Sequence, residues 1–297
     1  MYNREKFPKP LKNVFTKNIF CDIIKKGAGH KIKQQNSKKG VARLILTIDI
    51  GNSNITLGGF ERDRLAFAAN LSTEPNKTAD EYACAILSVL SVRGMTDRSV
   101  SGAIISSVVP PLNAVIKEAV QILWGIEPLT VGPGVKTGLN IHCDTPSSVG
   151  ADLICACVAV HHHYGVPALI IDMGTATKLT VLNDKGAFAG VSITPGVLMG
   201  LHSLWRNTAQ LPKVGLDAPK NVIGKNTADS IRSGVIFGNA AMIDGMIDRI
   251  SSEIGTNLTV YATGGLAPAI IPHCKHPVIT DEHLVLKGLF IIYNKNR

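Results

Sequence analysis

Two apolar rhythms run along the chain. Short apolar stretches at residues 44–48, 102–108, 168–171 and 258–262 end in Gly, Pro, Asn or Asp and read as buried strands. Residues 64–72, 178–182 and 186–194 read as further strands, as does a run ending at Phe60, and 129–131 as a short one. Between them the period lengthens. Thr78-Ala79-Asp80-Glu81 opens a helix whose apolar positions Ala83, Ile86, Leu87 and Leu90 keep helical spacing as far as Gly94. Pro110-Pro111 starts a second helix, running to Trp124-Gly125. A third, from about 149 to 163, is apolar nearly all round, which predicts burial between two halves of the molecule. A helix carrying Leu198, Leu201, Leu204 and Trp205 is expected to run on until Leu211-Pro212 breaks it. A long one follows from Asn226 to about Ile254, and a last one from 284 to 293.

Two strand ends carry the same chemistry. One is Asp49-Ile50-Gly51-Asn52-Ser53-Asn54-Ile55-Thr56, and the other is Asp172-Met173-Gly174-Thr175-Ala176-Thr177. In each, an apolar strand delivers an Asp, then a Gly that lets backbone approach a ligand, then small polar residues. Backbone N–H groups and hydroxyls there can face phosphate oxygens, with the Asp holding a cation beside them. An isolated Asp-x-Gly reads equally well as a plain turn. Two copies, each flanked by strands, point instead to a duplicated fold with nucleotide phosphates between its halves. Asp152 falls in the first turn of the third helix, where the positive helix end favours an ionised carboxylate. It can orient a substrate hydroxyl there, or simply cap the helix. Gly264-Gly265 follows a strand, and lets an adenosine lie against backbone or makes an ordinary turn.

Charge alters the picture in one region. The formal net charge is +9, but residues 1–40 hold 11 Lys/Arg against 2 Asp/Glu, and the remaining 257 residues balance. That argues against a nucleic-acid surface on the body. Residues 1–40 are polar, basic and aperiodic, with no signal or membrane span, and read as a disordered extension, an arm attracted to RNA or a membrane, or the product of an upstream start codon, the first and last fitting best. The six cysteines form no disulfide framework, which fits a cytoplasmic protein. Cys155 and Cys157 near His161–His163 match no common zinc spacing and read as small buried apolar residues.

Taken together, several motifs resemble the type III pantothenate kinases of the acetate and sugar kinase, heat-shock chaperone and actin superfamily. They are the two Asp-x-Gly loops, Thr137-Gly138-Leu139, Gly150-Ala151-Asp152, Gly224-Lys225-Asn226-Thr227 and Ala262-Thr263-Gly264-Gly265. The resemblance implies an α/β, duplicated actin-like (ribonuclease H-like) fold with mixed central sheets flanked by helices. Its lobes are expected at residues 41–150 and 151–297. It implies ATP-dependent phosphorylation of pantothenate, the first step towards coenzyme A, in a cytoplasmic homodimer whose substrate site spans the subunit interface. By the same resemblance, Asp49, Ile50, Gly51, Asn52, Ser53, Asn54, Ile55, Thr56, Thr175, Gly264 and Gly265 bind ATP. Asp49 organises Mg²⁺ through water, and Asp172 holds K⁺ or NH₄⁺. Asp152 is catalytic together with Asp49, and Cys143, Gly150, Ala151, Asp152, Leu153 and Thr227 form the pantothenate site.

Three positions depart from the family pattern: Leu153 stands in place of Arg, Cys143 in place of Tyr, and Lys178 in place of Thr. Lys178 and Lys136 are candidate replacement cations. Leu153 and Cys143 leave room for a paralogous kinase with another hydroxylated acceptor. A further alternative is a non-catalytic nucleotide-binding regulator, against which the three intact carboxylates argue.

Overall fold

The computed structural model describes residues 43–95 and 99–297. The expected extension at 1–40 lies outside the described residues. The first sheet is built from β1 (Arg43–Ile50), β2 (Asn54–Glu61), β3 (Arg64–Ser72), β4 (Ser99–Ser107) and β5 (Leu129–Thr130). Its strand order is β3-β2-β1-β4-β5. The second comprises β6 (Ala168–Met173), β7 (Ala176–Leu182), β8 (Phe188–Pro195), β9 (Thr259–Thr263) and β10 (Ile279–Thr280), in the order β10-β9-β6-β7-β8. Each sheet opens with an antiparallel meander, β1–β2–β3 or β6–β7–β8, and sets β4 or β9 parallel to its first strand. The second sheet therefore repeats the first, giving the duplicated actin-like architecture.

The helices form three layers around these sheets. Alpha-helices α1 (Ala79–Val92) and α2 (Pro110–Trp124) cover the outer face of the first sheet. Thr78 caps α1 reciprocally: its hydroxyl accepts from the Glu81 N–H, and Glu81 Oε2 accepts from the Thr78 N–H at 2.8 Å. Helices α4 (Val197–Arg206), α5 (Thr227–Ile254) and α6 (Ala267–Ile270) cover the outer face of the second sheet. The middle layer is α3 (Ala151–His163) with α7 (Leu284–Lys295). As its all-round apolar pattern predicts, α3 is buried at every position from Asp152 to Val160. The last helix, α7, packs on α3 and on β1, β2 and β4, with Phe290 stacked on Phe60 at 4.4 Å between ring centroids. Gly288 permits that crossing, since a Cβ there would stand 1.8 Å from the Cys155 carbonyl oxygen.

Strand parity decides where the polar residues go. In β1, Leu44, Leu46, Ile48 and Ile50 pack outwards against α1 and α2, so Ile45, Thr47 and Asp49 face the middle layer. In β6, Leu169, Ile171 and Met173 pack outwards, so Ala168, Ile170 and Asp172 face the middle layer.

Some elements differ from the sequence expectation. Helix α4 ends at Arg206 and does not reach Leu211-Pro212. It buries only Val197 and Leu201 and leaves Leu198 and Leu204 exposed, so little packing is available to extend it. Asp172 and Thr177 lie within strands, and only Gly174-Thr175 separates β6 from β7. The helix after Gly264-Gly265 is a single turn, and β10 carries no sequence signal of its own. Among the described residues no helix is long and apolar enough to cross a membrane.

Candidate active site

The two hairpin loops meet above the middle layer. Ser53 Oγ and Thr175 Oγ1 are 2.8 Å apart, so the first loop touches the second across 122 positions of sequence. The first loop is closed by the Gly51 N–H donating to the Asn54 carbonyl, and braced by Thr73 Oγ1 donating to the Gly51 carbonyl at 2.7 Å. The second is backed by Gly196, where a Cβ would lie 2.2 Å from the Thr175 carbonyl oxygen. Nothing local in the sequence marks Gly196; its role depends on the end of β8 coming against the loop.

A cleft of about 890 Å³ opens between the loops. Of the residues expected to bind ATP, Asp49, Gly51, Asn52, Ser53, Asn54, Thr56, Thr175 and Gly264 line it. Ile50 and Ile55 are fully buried behind the loop and support it through the core, and Gly265 is exposed outside the lining. From the expected acceptor site, Cys143, Gly150, Asp152 and Leu153 line the same cleft, and Ala151 stands just behind. Thr227 is exposed at the start of α5, away from the lining. Two wall residues, Glu282 and His283, escape the sequence reading. The neighbouring Asp281 anchors them by accepting from Tyr164 Oη at 2.7 Å, Lys287 Nζ at 2.6 Å and the His283 N–H. Tyr164 lies 117 positions away, so no local pattern marks that contact.

Asp49, Asp152 and Asp172 converge at the cleft floor around Lys178. Lys178 Nζ lies 2.5 Å from Asp152 Oδ2 and 2.8 Å from Asp172 Oδ2. Lys178 is the cross-strand partner of Asp172, so the pair follows directly from hairpin register. Asp152 Oδ1 accepts the Leu153 N–H at 2.9 Å, one of the donors a helix start leaves unpaired. Lys136, the other candidate cation, lies elsewhere, with its backbone bonded to Asn296.

The electrostatics follow from crowding acids in a sheltered place. Burial, then the charge of Asp152, raises the Asp49 pKa to about 7. Burial also raises that of Asp172, with Lys178 offsetting part of the effect. Burial by itself would lower the Lys178 pKa, but the carboxylates of Asp172 and Asp152 outweigh it and hold the ammonium protonated. Cys155 and Cys157, behind the floor, have thiols raised by burial and behave as apolar packing.

Residues 45–249 match the family model for type III pantothenate kinase. The chain belongs to the type III pantothenate kinase family. A type III pantothenate kinase of Syntrophobacter fumaroxidans is 41% identical over 255 residues, spanning 86% of this chain and 99% of the relative. One from Halalkalibacterium halodurans is 39% identical over 253 residues, spanning 85% and 100%. Among solved structures, a conserved Baf family protein of Campylobacter jejuni superposes with a TM-score of 0.55 at 18% identity. It covers 84% of this chain and 98% of its own, a likeness that speaks to the fold.

Proposed function

We propose that this chain transfers the γ-phosphoryl group of ATP to the primary hydroxyl of pantothenate, giving 4′-phosphopantothenate. The observation that carries the reading is the convergence of Asp49, Asp152 and Asp172 beneath two touching loops in one cleft. Phosphoryl transfer asks a protein for positioning and charge neutralisation more than for covalent chemistry. The loops at Asn52-Ser53 and Thr175 offer N–H groups and hydroxyls to the phosphates. Asp152, tied on both oxygens, retains lone pairs to accept the acceptor O–H and aim its oxygen at phosphorus.

Among the described residues, no group of three or more His, Cys, Asp and Glu side chains is arranged to hold a metal ion. A lone carboxylate such as Asp49 still suits Mg²⁺, which keeps most of its waters and leans on substrate phosphates. When bound, Mg²⁺ neutralises phosphate charge. A monovalent cation on Asp172 fits poorly, because the Lys178 ammonium already rests on that carboxylate.

The lobes are taken as residues 41–150 and 151–297, with α7 returning to the first sheet. A homodimer is part of the same reading. Val191, Ile193 and Met199 are exposed apolar residues on the cleft rim, and Leu198 extends the patch. A second copy seated there would bring its own exposed residues, Thr227 among them, towards the acceptor end.

The test is ADP release with Mg-ATP and either pantothenate or a panel of small alcohols. Pantothenate-dependent release is expected. Robust release on another alcohol, with none on pantothenate, overturns the acceptor assignment. It would favour the paralogous kinase, whose support is the apolar wall of Leu153, Phe188 and Leu286 with Cys143 beside it.

A further inference from the structure

Lys178 occupies a position that the duplicated fold does not require to be charged. In the first hairpin the residue opposite Asp49 is Thr56; in the second, the residue opposite Asp172 is Lys178. Both face the middle layer. The lysine side chain is 18% exposed, and its ammonium bridges two carboxylates that are 11% and 17% exposed. A compact ammonium has three N–H donors, and two are directed at Asp152 and Asp172.

We propose that Lys178 is a tethered monovalent cation. Its ammonium takes the seat beside Asp172 that a free K⁺ or NH₄⁺ would fill, and the same group holds Asp152 in place for the acceptor hydroxyl. The inference rests on the kinase reading and deepens it. Three features support it. An alkylammonium carries the same single charge as K⁺ or NH₄⁺. The Lys178 nitrogen sits 2.5 Å from Asp152 Oδ2 and 2.8 Å from Asp172 Oδ2, the contacts of an ammonium paired with two carboxylates. A second cation brought to Asp172 would meet a like charge at 2.8 Å from the same oxygen, in a site too sheltered for water to screen it well. Lys178 is thus a positioning residue whose third N–H points to no described partner and is available to a phosphate or hydroxyl in the cleft.

The test compares the intact protein with Lys178→Thr and Lys178→Met in buffers whose monovalent cation is K⁺, NH₄⁺ or tetramethylammonium. Unaltered protein should turn over within about twofold in all three. Lys178→Thr, which vacates the seat, should lose about ten- to a hundredfold in tetramethylammonium and recover most of it in K⁺ or NH₄⁺. Lys178→Met fills the seat with an uncharged stem and should stay low in every buffer. Thermal melting gives a readout independent of turnover: K⁺ or NH₄⁺ should stabilise Lys178→Thr and leave unaltered protein unmoved. A strict K⁺ requirement in unaltered protein, or indifference of Lys178→Thr to the cation in both assays, overturns the proposal. If unaltered protein transfers no phosphoryl group to any acceptor, the kinase reading fails, while the melting pattern still decides the role of Lys178.

Discussion

Asp152 is a carboxylate with both oxygens already engaged, one by the Leu153 N–H and one by Lys178. Its orientation is therefore set before any substrate arrives, and its charge matters more than its shape. Asp152→Asn keeps the shape and should lower turnover by about 10²–10⁴-fold while ATP binding stays close to normal. Steady-state rates beside ATP titration check this, and near-normal turnover would leave Asp152 as a helix-start residue alone. Asp49 is shifted upwards by burial. With its pKa raised from 3.8 to about 7, the folded chain keeps a proton that the unfolded chain releases near pH 4. The native state therefore holds more protons between about pH 4 and 7, and this group's contribution to stability falls as pH rises through that window. Melting temperatures of ligand-free protein and Asp49→Asn should show the variant gaining on the parent from pH 4.5 to 7.5. A constant difference across that range would contradict the assignment.

At the scale of elements, the site depends on close backbone approaches as much as on its acids. Gly196 lets β8 end against the Gly174-Thr175 turn, and an added Cβ would lie 2.6 Å from the Gly174 carbonyl and closer still to that of Thr175. Gly196→Ala should displace the second loop, cost about 1–3 kcal/mol of stability as overpacking does, and weaken ATP binding more than pantothenate binding. Denaturant melts and separate ligand titrations measure both effects. Most elements were legible in advance, because apolar period and turn residues are local properties. The strand over Arg64–Ser72 and the helix over Thr227–Ile254 needed no partner to be read. The end of α4 was not legible, since it stops for want of buried surface and not at a breaker. Likewise β10 is two exposed residues whose strand character comes entirely from pairing with β9.

Across the described residues, α7, the last element, is tied to the first sheet. Phe290 lies in the core shared by both sheets and stacks on Phe60. Phe290→Ala should cost about 3–5 kcal/mol and lower the unfolding midpoint of both sheets together. Two separate transitions would show that the halves fold independently. Removing residues 1–40 should leave turnover unchanged, because the chemistry assigned to the site begins at Asp49; a large loss in a folded truncation would tie the basic segment to the reaction. The amino-acid sequence by itself determined most of the strands and helices and both phosphate-type loops. These follow from periods of two and 3.6 residues and from turn chemistry, all readable within a short window. Tertiary structure decided which groups meet: Lys178 with Asp152 across 26 positions, Ser53 with Thr175 across 122, and Asp281 with Tyr164 across 117. Such pairs are fixed by sheet register and by how α3 and α7 pack between the sheets, and a local pattern of apolar and polar residues carries no information about either.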